Sequence, residues 1–203
     1  MKHEQDTPEA AWEEIRSSVA ERNHEAFSRR VEVSRFINRA YDDATEELAD
    51  HCEEFHKLYP HDLYFQFGAQ NIRNYNEEFR ETHLGFLDRF IAAYFNNEKK
   101  SKTFEANPVT FAAGAFKKLH SAARSIVKET YVEGNRAVML VEITGGFIYR
   151  RTIGTMDFRF EFERDSEGYW RLTCVRNVDE LTPPILDVAE TFWPKSWDLG
   201  ISF

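Results

Sequence analysis

The sequence predicts an α+β fold in which N-terminal helices pack on a curved antiparallel sheet of four or more strands, formed mainly by the C-terminal half. Up to about residue 100, apolar residues recur every three or four positions, as on one face of a helix. After about residue 120 they alternate instead, as in strands with one buried face. Since 203 residues with 42% apolar content suffice for one core, we predict a single domain over 1–203.

The predicted helical part covers about 7–100. It begins with Pro8 at the first helical position, behind a Thr that can cap the helix. A long helix is predicted over about 33–58, and the aromatic stretch "LYFQFGAQN" after it is predicted to be extended. A second long helix, over 71–97, carries apolar residues on more than one face, which indicates that it is largely buried.

The acidic segment "DDATEELADHCEE" contains seven carboxylates and neither Lys nor Arg, so a metal site has to be considered. Its carboxylates form a stripe opposite the apolar face of the helix and lack the alternating loop ligands of a calcium site. The nearby "HCEEFH" is not the HExxH motif of zinc hydrolases. Cys52 and Cys174 belong to no CxxC pair and are expected to be buried free thiols. We therefore predict a solvated helix face, no metal site and no cofactor.

The second part, a helix and an antiparallel meander, is predicted over about 108–178, after a polar hinge over 96–107. Pro108 opens the helix, and Gly145 with Gly146 is expected to mark a bulge or bend. The strand segments are "SIVKETYV", "RAVMLVEIT", "FIYRRTIG", "TMDFRFEFE" and "YWRLTCVRN". The tail over 179–203 is rich in aromatic residues, so we expect it to pack back on the domain or on a partner chain.

Alternation in the last two strands sorts their side chains onto two faces. The carboxylates Asp157, Glu161 and Glu163, which alternate with the phenylalanines, are then predicted to face solvent, unless a one-residue shift or a bulge near Gly154 reverses the faces. The residues predicted to face inward are Met156, Phe158, Phe160, Phe162, Trp170, Leu172 and Cys174.

The order of these elements resembles the cone-shaped α+β fold of the nuclear transport factor 2-like superfamily. The resemblance rests on "AWEEIRSSVAERNHEAFSRRV", on the hairpin "VEGNRAVMLVEI", and on a closing strand in which Trp170 follows a Gly turn and leads to Asn177. The sequence is similar in particular to uncharacterised bacterial domains of that superfamily. The likeness covers about 8–50 and 108–180, whereas 60–107 departs from the compact pattern by a long aromatic helix.

The resemblance implies a curved sheet wrapped around helices, with a conical cavity that some relatives use for catalysis and others for binding proteins or small ligands. Isomerases of the superfamily need a carboxylate base and proton-donating groups in an apolar pocket. The inward positions of the last two strands offer no such group apart from the thiol of Cys174, so no catalytic residue is assigned. The helix-borne candidates are His83, Tyr41 and Asp88, of which His83 has the alternative role of a core histidine bonded to a carbonyl. The residues expected to line the ligand cavity are Tyr41, Phe158, Phe160, Phe162 and Trp170.

We predict a non-catalytic module that binds a small apolar ligand or a protein partner, because aromatic residues abound and few polar groups converge. The alternative is a small acid–base enzyme of the isomerase or dehydratase type that acts on a hydrophobic substrate. That alternative requires at least two titratable groups facing one apolar cavity. A homodimer through the sheet face is predicted if that face is free; its residues are Arg159, Glu161, Arg171 and Thr173.

Charge and hydropathy limit the partners and the compartment. A formal net charge of -9 argues against nucleic acid as a partner, since binding DNA or RNA requires a basic surface. No run approaches the length of about 18 apolar residues that a membrane span needs. The chain as given is expected to be soluble and cytoplasmic, or extracytoplasmic if a leader has been removed.

Overall fold

The computed structural model describes residues 6–104, 106–145 and 154–186, without the side chains of 184–186. The described chain confirms the α+β class, with helices in the N-terminal half and an antiparallel sheet in the C-terminal half. The helices are α1 Pro8–Glu21, α2 His24–Arg30, α3 Val33–Asp50, α4 Cys52–Leu58, α5 Leu63–Gln66, α6 Ala69–Glu78, α7 Arg80–Phe95, α8 Pro108–Ala122 and α9 Val178–Leu186. The strands are β1 Arg124–Glu133, β2 Arg136–Thr144, β3 Thr155–Arg164 and β4 Trp170–Val175.

The predicted starts of α1 and α8 are confirmed, and both helices begin with a capping side chain followed by proline. Thr7 Oγ1 accepts a hydrogen bond from the backbone N of Ala10 at 3.1 Å, which satisfies one of the first N–H groups of α1. Asn107 Oδ1 does the same for the backbone N of Thr110 at 3.1 Å in α8. These local signals suffice to set where the two helices begin.

The middle of the chain differs from the predicted pattern. The helix predicted over 33–58 is interrupted at His51, whose backbone leaves the helical region, and the helix predicted over 71–97 is interrupted at Phe79 in the same way. The stretch "LYFQFGAQN" is not extended but forms the short helix α5. The Oδ1 atom of Asp62 caps α5 by accepting a hydrogen bond from Tyr64 N at 3.0 Å, and Phe65 is buried. Capping and burial together outweigh the strand preference of its aromatic residues.

The four strands form a meander with the spatial order β1–β2–β3–β4, every neighbouring pair being antiparallel. β2 and β3 pair without interruption, and the pairing ends where the backbone N of Gly145 donates to Gly154 O at 3.2 Å. The predicted strand "FIYRRTIG" and Gly146 lie outside the described residues, apart from Gly154. Within the described sheet, the register shifts once in β1, between Val127 and Glu129, and once where β3 meets β4.

The second shift changes which face of β4 each side chain occupies. Phe162 pairs with Leu172 but Glu161 pairs with Cys174, so Thr173 is an extra residue in β4. Its Oγ1 atom donates a hydrogen bond to the backbone O of Glu161 at 3.1 Å. The prediction that Cys174 faces inward is therefore wrong, because the extra residue places it on the outer face beside Glu161.

The sheet core forms where α1 and the beginning of α3 lie against the inner face of the sheet. The ring centroids of Trp12 and Phe160 are 4.8 Å apart, and Phe158 stacks on Phe160 at 5.7 Å. The buried residues of the sheet core are Ala11, Trp12, Ile15, Val31, Ala137, Met139, Val141, Phe160, Phe162, Trp170 and Leu172.

A separate apolar cluster lies in the helical part, between α3, α4, α5 and α6. Its centre is a stacked pair, Phe55 and Phe65, with ring centroids 5.0 Å apart and planes 9° from parallel. Ile72 and Tyr59 are fully buried beside that pair. This cluster fixes the short helix α5 against α6 and so forms the floor on which the site described below is built.

Asn177 and the helix α9 that follows it are bonded to β3. Asn177 Oδ1 accepts from the backbone N of Arg159 at 2.8 Å, and its Nδ2 donates to the backbone O of Asp157 at 2.9 Å. The guanidinium of Arg159 pairs with Glu180 of α9. Residues 187–203, which include the aromatic residues of the tail predicted over 179–203, lie outside the described residues, so the prediction that the tail packs back stays a prediction. Among the described helices, none is both long and apolar enough to cross a membrane.

Candidate ligand groove in the helical part

Helices α3, α5, α6 and α7 enclose a groove of about 510 Å³, which we call the helical groove. A volume of this size lies in the range of small-molecule sites. The residues that line it are Tyr41, Ala44, Thr45, Leu48, Asp62, Leu63, Tyr64, Phe67, Asn71, Tyr75, Asn76, His83, Phe86 and Leu87. Within α3, α6 and α7 these residues recur every one, three or four positions, so each of these three helices presents one face to the groove, and α5 closes it.

The walls of the helical groove are mostly apolar and aromatic. Leu48 on α3 and the pair Phe86 and Leu87 on α7 provide aliphatic and aromatic surface. At the rim, Phe67 is 67% exposed and Leu63 is 46% exposed. Large apolar side chains held open to solvent at the mouth of a groove are typical of sites that bury an apolar ligand.

A hydrogen-bonded network centred on Asn76 lies within this apolar wall. The Asn76 side chain is buried; its Nδ2 donates to Thr45 Oγ1 at 2.8 Å, and its Oδ1 accepts from Tyr64 Oη at 3.0 Å. Thr45 Oγ1 in turn donates to the backbone O of Tyr41 at 2.8 Å. Because each of these buried polar groups has a partner, the network ties α3, α5 and α6 together without an unsatisfied group.

Tyr41 and His83 meet at one end of this network. Tyr41 Oη lies 2.8 Å from the backbone O of Asn76 and 2.8 Å from His83 Nδ1. Burial lowers the pKa of His83 below its ordinary value and raises the pKa of Tyr41. Burial raises the pKa of Tyr64 as well. All three groups are therefore held in their neutral forms near pH 7.

Arginines of α6 and α7 neutralise the acidic face of α3 beside the groove. Arg80 pairs with Asp42 at 2.5 Å, and its guanidinium lies 5.2 Å from the centre of the Tyr41 ring. Arg73 pairs with Glu46 at 2.7 Å and with Asp50 at 3.1 Å. The stripe predicted as a merely solvated face thus also holds α6 and α7 against α3.

The structure brings together two of the three predicted catalytic candidates. Tyr41 and His83, 42 residues apart in the chain, share a hydrogen bond in the helical groove. Asp88 lies on the exposed side of α7 and does not line the groove. The condition set by the acid–base alternative, two titratable groups facing one apolar cavity, is met by Tyr41 and His83.

The residues predicted to line one aromatic cavity occupy two different places. Tyr41 lines the helical groove, whereas Phe160, Phe162 and Trp170 are buried in the sheet core and Phe158 packs against that core. The four sheet residues are in contact with α1 and with one another, so Tyr41 does not share a cavity with them. The physical reason is that Trp12 and its neighbours on α1 fill the space in front of the inner sheet face.

Sequence reasoning missed Asn76, Tyr64 and Thr45, which form the polar part of the groove. One signal was available, since Asn76 lies four residues after Ile72 and therefore on the buried stripe of α6. A polar residue on a buried stripe needs hydrogen-bond partners and so indicates a specific site. Tyr64 and Thr45 had no such signal, because their roles depend on the position of Asn76.

The predicted dimer face is partly occupied by contacts within the chain. Thr173 is 1% exposed, and Arg171 donates to the backbone O of Ser28 at 2.9 Å and pairs with Glu32. Glu161 pairs with Arg176 at 3.3 Å. Dimerisation through this face stays a prediction. Among the described residues, no group of three or more His, Cys, Asp or Glu side chains is placed to hold a metal ion.

Comparison with known proteins gives no match for this chain among family models, curated proteins or solved structures.

Proposed function

We propose that this protein binds a small, mostly apolar ligand in the helical groove. The observation that carries the proposal is an open groove of about 510 Å³ with apolar walls, exposed apolar side chains at its rim and a few polar groups gathered on one wall. This combination is the usual composition of small-molecule sites, in which apolar contact supplies affinity and a few polar groups fix orientation. The sheet core lacks these features because its aromatic side chains are buried against α1.

The experiment that tests the proposal measures binding of a neutral fluorescent probe, N-phenyl-1-naphthylamine, and its displacement by alkylbenzenes and alkylphenols. We expect saturable binding with enhanced emission, because the probe moves from water to an apolar groove. The variant Ala44→Trp adds a large side chain at the groove wall and is expected to abolish binding. Ala92→Trp is the matched control: Ala92 is exposed on α7 and does not line the groove, so binding is expected to persist.

Two results would contradict the proposal. One is no saturable binding by wild-type protein that is folded by circular dichroism. The other is equal binding by wild type and Ala44→Trp, which would locate the probe elsewhere.

The contact between Tyr41 and His83 supports a second candidate, an acid–base enzyme acting on a hydrophobic substrate in the same groove. A neutral His in an apolar site is a general base, and a Tyr beside it can donate a proton. The test is exchange of α-hydrogens of a hydrophobic ketone with deuterated solvent, followed by NMR. An enzyme would accelerate this exchange, and His83→Gln would lower the rate by a factor of about 10²–10⁴. Ligand binding without exchange supports the first candidate.

A further inference from the structure

We infer that the ligand of the helical groove is a neutral apolar compound with a hydroxyl group, a phenol or an alcohol, that donates its hydrogen bond to Nε2 of His83. This inference rests on the proposed binding function and names the class of ligand. It follows from the positions of protons in the hydrogen bonds around Tyr41.

The first step concerns the single proton of the Tyr41 hydroxyl. Its Oη atom lies 2.8 Å from two atoms, the backbone O of Asn76 and Nδ1 of His83. A carbonyl oxygen can only accept, so the hydroxyl proton has to point at Asn76 O. If the proton pointed at His83 instead, Tyr41 Oη and the backbone O of Asn76 would face each other at 2.8 Å without a proton between them. Hence Nδ1 of His83 carries a hydrogen and donates it to Tyr41 Oη.

The second step concerns the other ring nitrogen. A neutral imidazole carries one hydrogen, so a donating Nδ1 leaves Nε2 as an acceptor. Burial favours the neutral ring. The ring centroids of Tyr75 and Phe79 lie 6.0 Å and 6.3 Å from the centroid of the His83 ring. Three charged groups act on Tyr41 at this corner, Arg80, Glu77 and Asp42, and Arg80 pairs with Asp42. His83 thus faces the groove as a fixed tautomer whose acceptor is Nε2.

The third step is that this acceptor is available. His83 lines the groove, and its Nδ1 edge is used by Tyr41. No residue in the described part of the chain makes a hydrogen bond with Nε2. A ligand that donates a hydrogen bond to Nε2 would displace water there and leave this acceptor satisfied. A ligand of the same shape without a donor would leave Nε2 unsatisfied and bind less tightly, which gives the groove its selectivity.

The fourth step excludes charged ligands. The oxygens of a carboxylate ligand are acceptors and would face another acceptor, Nε2 of His83. In addition, the residues that line the groove include Asp62 but neither Lys nor Arg to pair with a negative charge. A protonated amine would lose its hydration in a groove whose one carboxylate, Asp62, already caps α5. An ether or a simple hydrocarbon fits the walls but has no hydrogen to offer Nε2. A neutral group with a hydrogen to donate satisfies every condition, and a hydroxyl is the simplest such group.

The test compares 4-tert-butylphenol with 4-tert-butylanisole, which differ by a methyl group on the oxygen. Dissociation constants come from displacement of N-phenyl-1-naphthylamine at neutral pH. We expect wild type to bind the phenol about tenfold more tightly, the effect of one hydrogen bond to an otherwise unsatisfied acceptor. In His83→Phe the preference is expected to vanish, while the anisole is bound within about threefold of its wild-type affinity.

His120→Phe serves as the matched control. His120 lies on α8, away from the groove, and burial lowers its pKa as it does that of His83. The phenol preference is expected to survive this substitution. A ligand-independent measurement, the ¹⁵N NMR shifts of the His83 ring, is expected to show a protonated Nδ1 and an unprotonated Nε2 at neutral pH.

The outcomes separate the two levels of the proposal. Equal affinities for phenol and anisole, a preference that persists in His83→Phe, or an Nε2–H tautomer overturns this inference but leaves apolar binding intact. Failure of the naphthylamine probe and both aryl compounds to bind overturns the proposed function together with it.

Discussion

The sheet core and the helical groove are both built from aromatic side chains, but they use them in opposite ways. In the sheet core, Phe162 and Trp170 are almost fully buried, and rings touch rings along β3 and α1. In the groove, Phe67 is 67% exposed and Tyr41 and His83 are half-buried at its wall. A high aromatic content therefore predicts apolar surface without telling whether that surface is used for packing or for recognition.

The polar atoms next to the rings distinguish the two regions. In the sheet core, the indole nitrogens of Trp12 and Trp170 are buried without a hydrogen-bond partner among the described residues, so no directional hydrogen bond of these nitrogens fixes the rings. In the groove, Asn76, Tyr64 and Tyr41 are joined by directional hydrogen bonds. Because hydrogen bonds are directional, this network fixes the side chains at the groove wall in defined positions, as a recognition site requires.

Truncation of a buried ring in the sheet core is expected to have the largest effect. Phe162→Ala should lower the free energy of unfolding by about 3–5 kcal/mol, because it removes apolar contacts and leaves a cavity in a fully buried site. Phe67→Ala, at the rim of the groove, should change it by less than about 0.5 kcal/mol. Urea unfolding at neutral pH measures both values. Similar losses in the two variants would mean that the groove rim is packed like a core.

Loss of the central side chain of the groove network is expected to have the next largest effect. Asn76→Ala should lower the free energy of unfolding by about 1–3 kcal/mol, because Tyr64 Oη and Thr45 Oγ1 lose a buried partner. Asn74→Ala is the matched control, since Asn74 lies on the exposed face of the same helix and its side chain, among the described residues, is hydrogen-bonded to Gln70. Ala has a higher helix propensity than Asn, so Asn74→Ala should leave the free energy of unfolding unchanged or raise it slightly. If it lowered that free energy as much as Asn76→Ala does, the loss in Asn76→Ala would not come from the network.

Much of the fold could be predicted from local sequence signals. Alternation identified β3 and β4, Thr7 with Pro8 identified the start of α1, and Pro108 identified the start of α8. The bulge at Thr173 could not be predicted, because one extra residue exchanges the faces of a strand without changing its composition. Helix α5 could not be predicted either, since burial of Phe65 against Phe55 is a tertiary effect. The resemblance to the nuclear transport factor 2-like superfamily stays a prediction.

The candidate site could be predicted only in part. His83 and Tyr41 were identified singly, as titratable groups within or beside apolar stripes. Their contact depends on how α7 packs against α3 across 42 residues of chain, which periodicity does not specify. The predicted cavity residues of β3 and β4 were identified from alternation, which separates inner from outer faces. Alternation does not show whether the space in front of the inner face is filled, as Trp12 and Ile15 fill it here.

Removal of the Tyr41 hydroxyl is expected to have a smaller effect than loss of Asn76. Tyr41→Phe keeps the ring beside Arg80 and removes the hydrogen bonds to Asn76 O and His83 Nδ1, which should cost about 0.5–1.5 kcal/mol. In a double-mutant cycle with His83→Phe, part of this loss should be shared between the two substitutions. Strict additivity would show that the Tyr41–His83 contact contributes nothing to stability.

The smallest expected effect is a pH dependence of the free energy of unfolding, caused by the burial of the His83 ring. The pKa of His83 is lowered by burial from its ordinary 6.5, so in the unfolded chain this ring takes up a proton at a higher pH than in the folded one. The free energy of unfolding should therefore fall as the pH drops below about 6.5, until the folded ring is protonated as well. Above about pH 7 the ring is neutral in both states and contributes no slope. His120 acts in the same direction, through burial and then through Arg16.

Urea unfolding between about pH 5 and about pH 7.5 measures this slope in wild type, His83→Phe and His120→Phe. Each variant should have a shallower slope than wild type, because each removes one group that gains a proton on unfolding. A hydroxyl ligand that needs the unprotonated Nε2 of His83 should steepen the wild-type slope, because it binds only the neutral folded form, and it should have no such effect in His83→Phe. A slope in His83→Phe as steep as that of wild type would mean that the His83 ring is as accessible to water in the folded protein as in the unfolded chain.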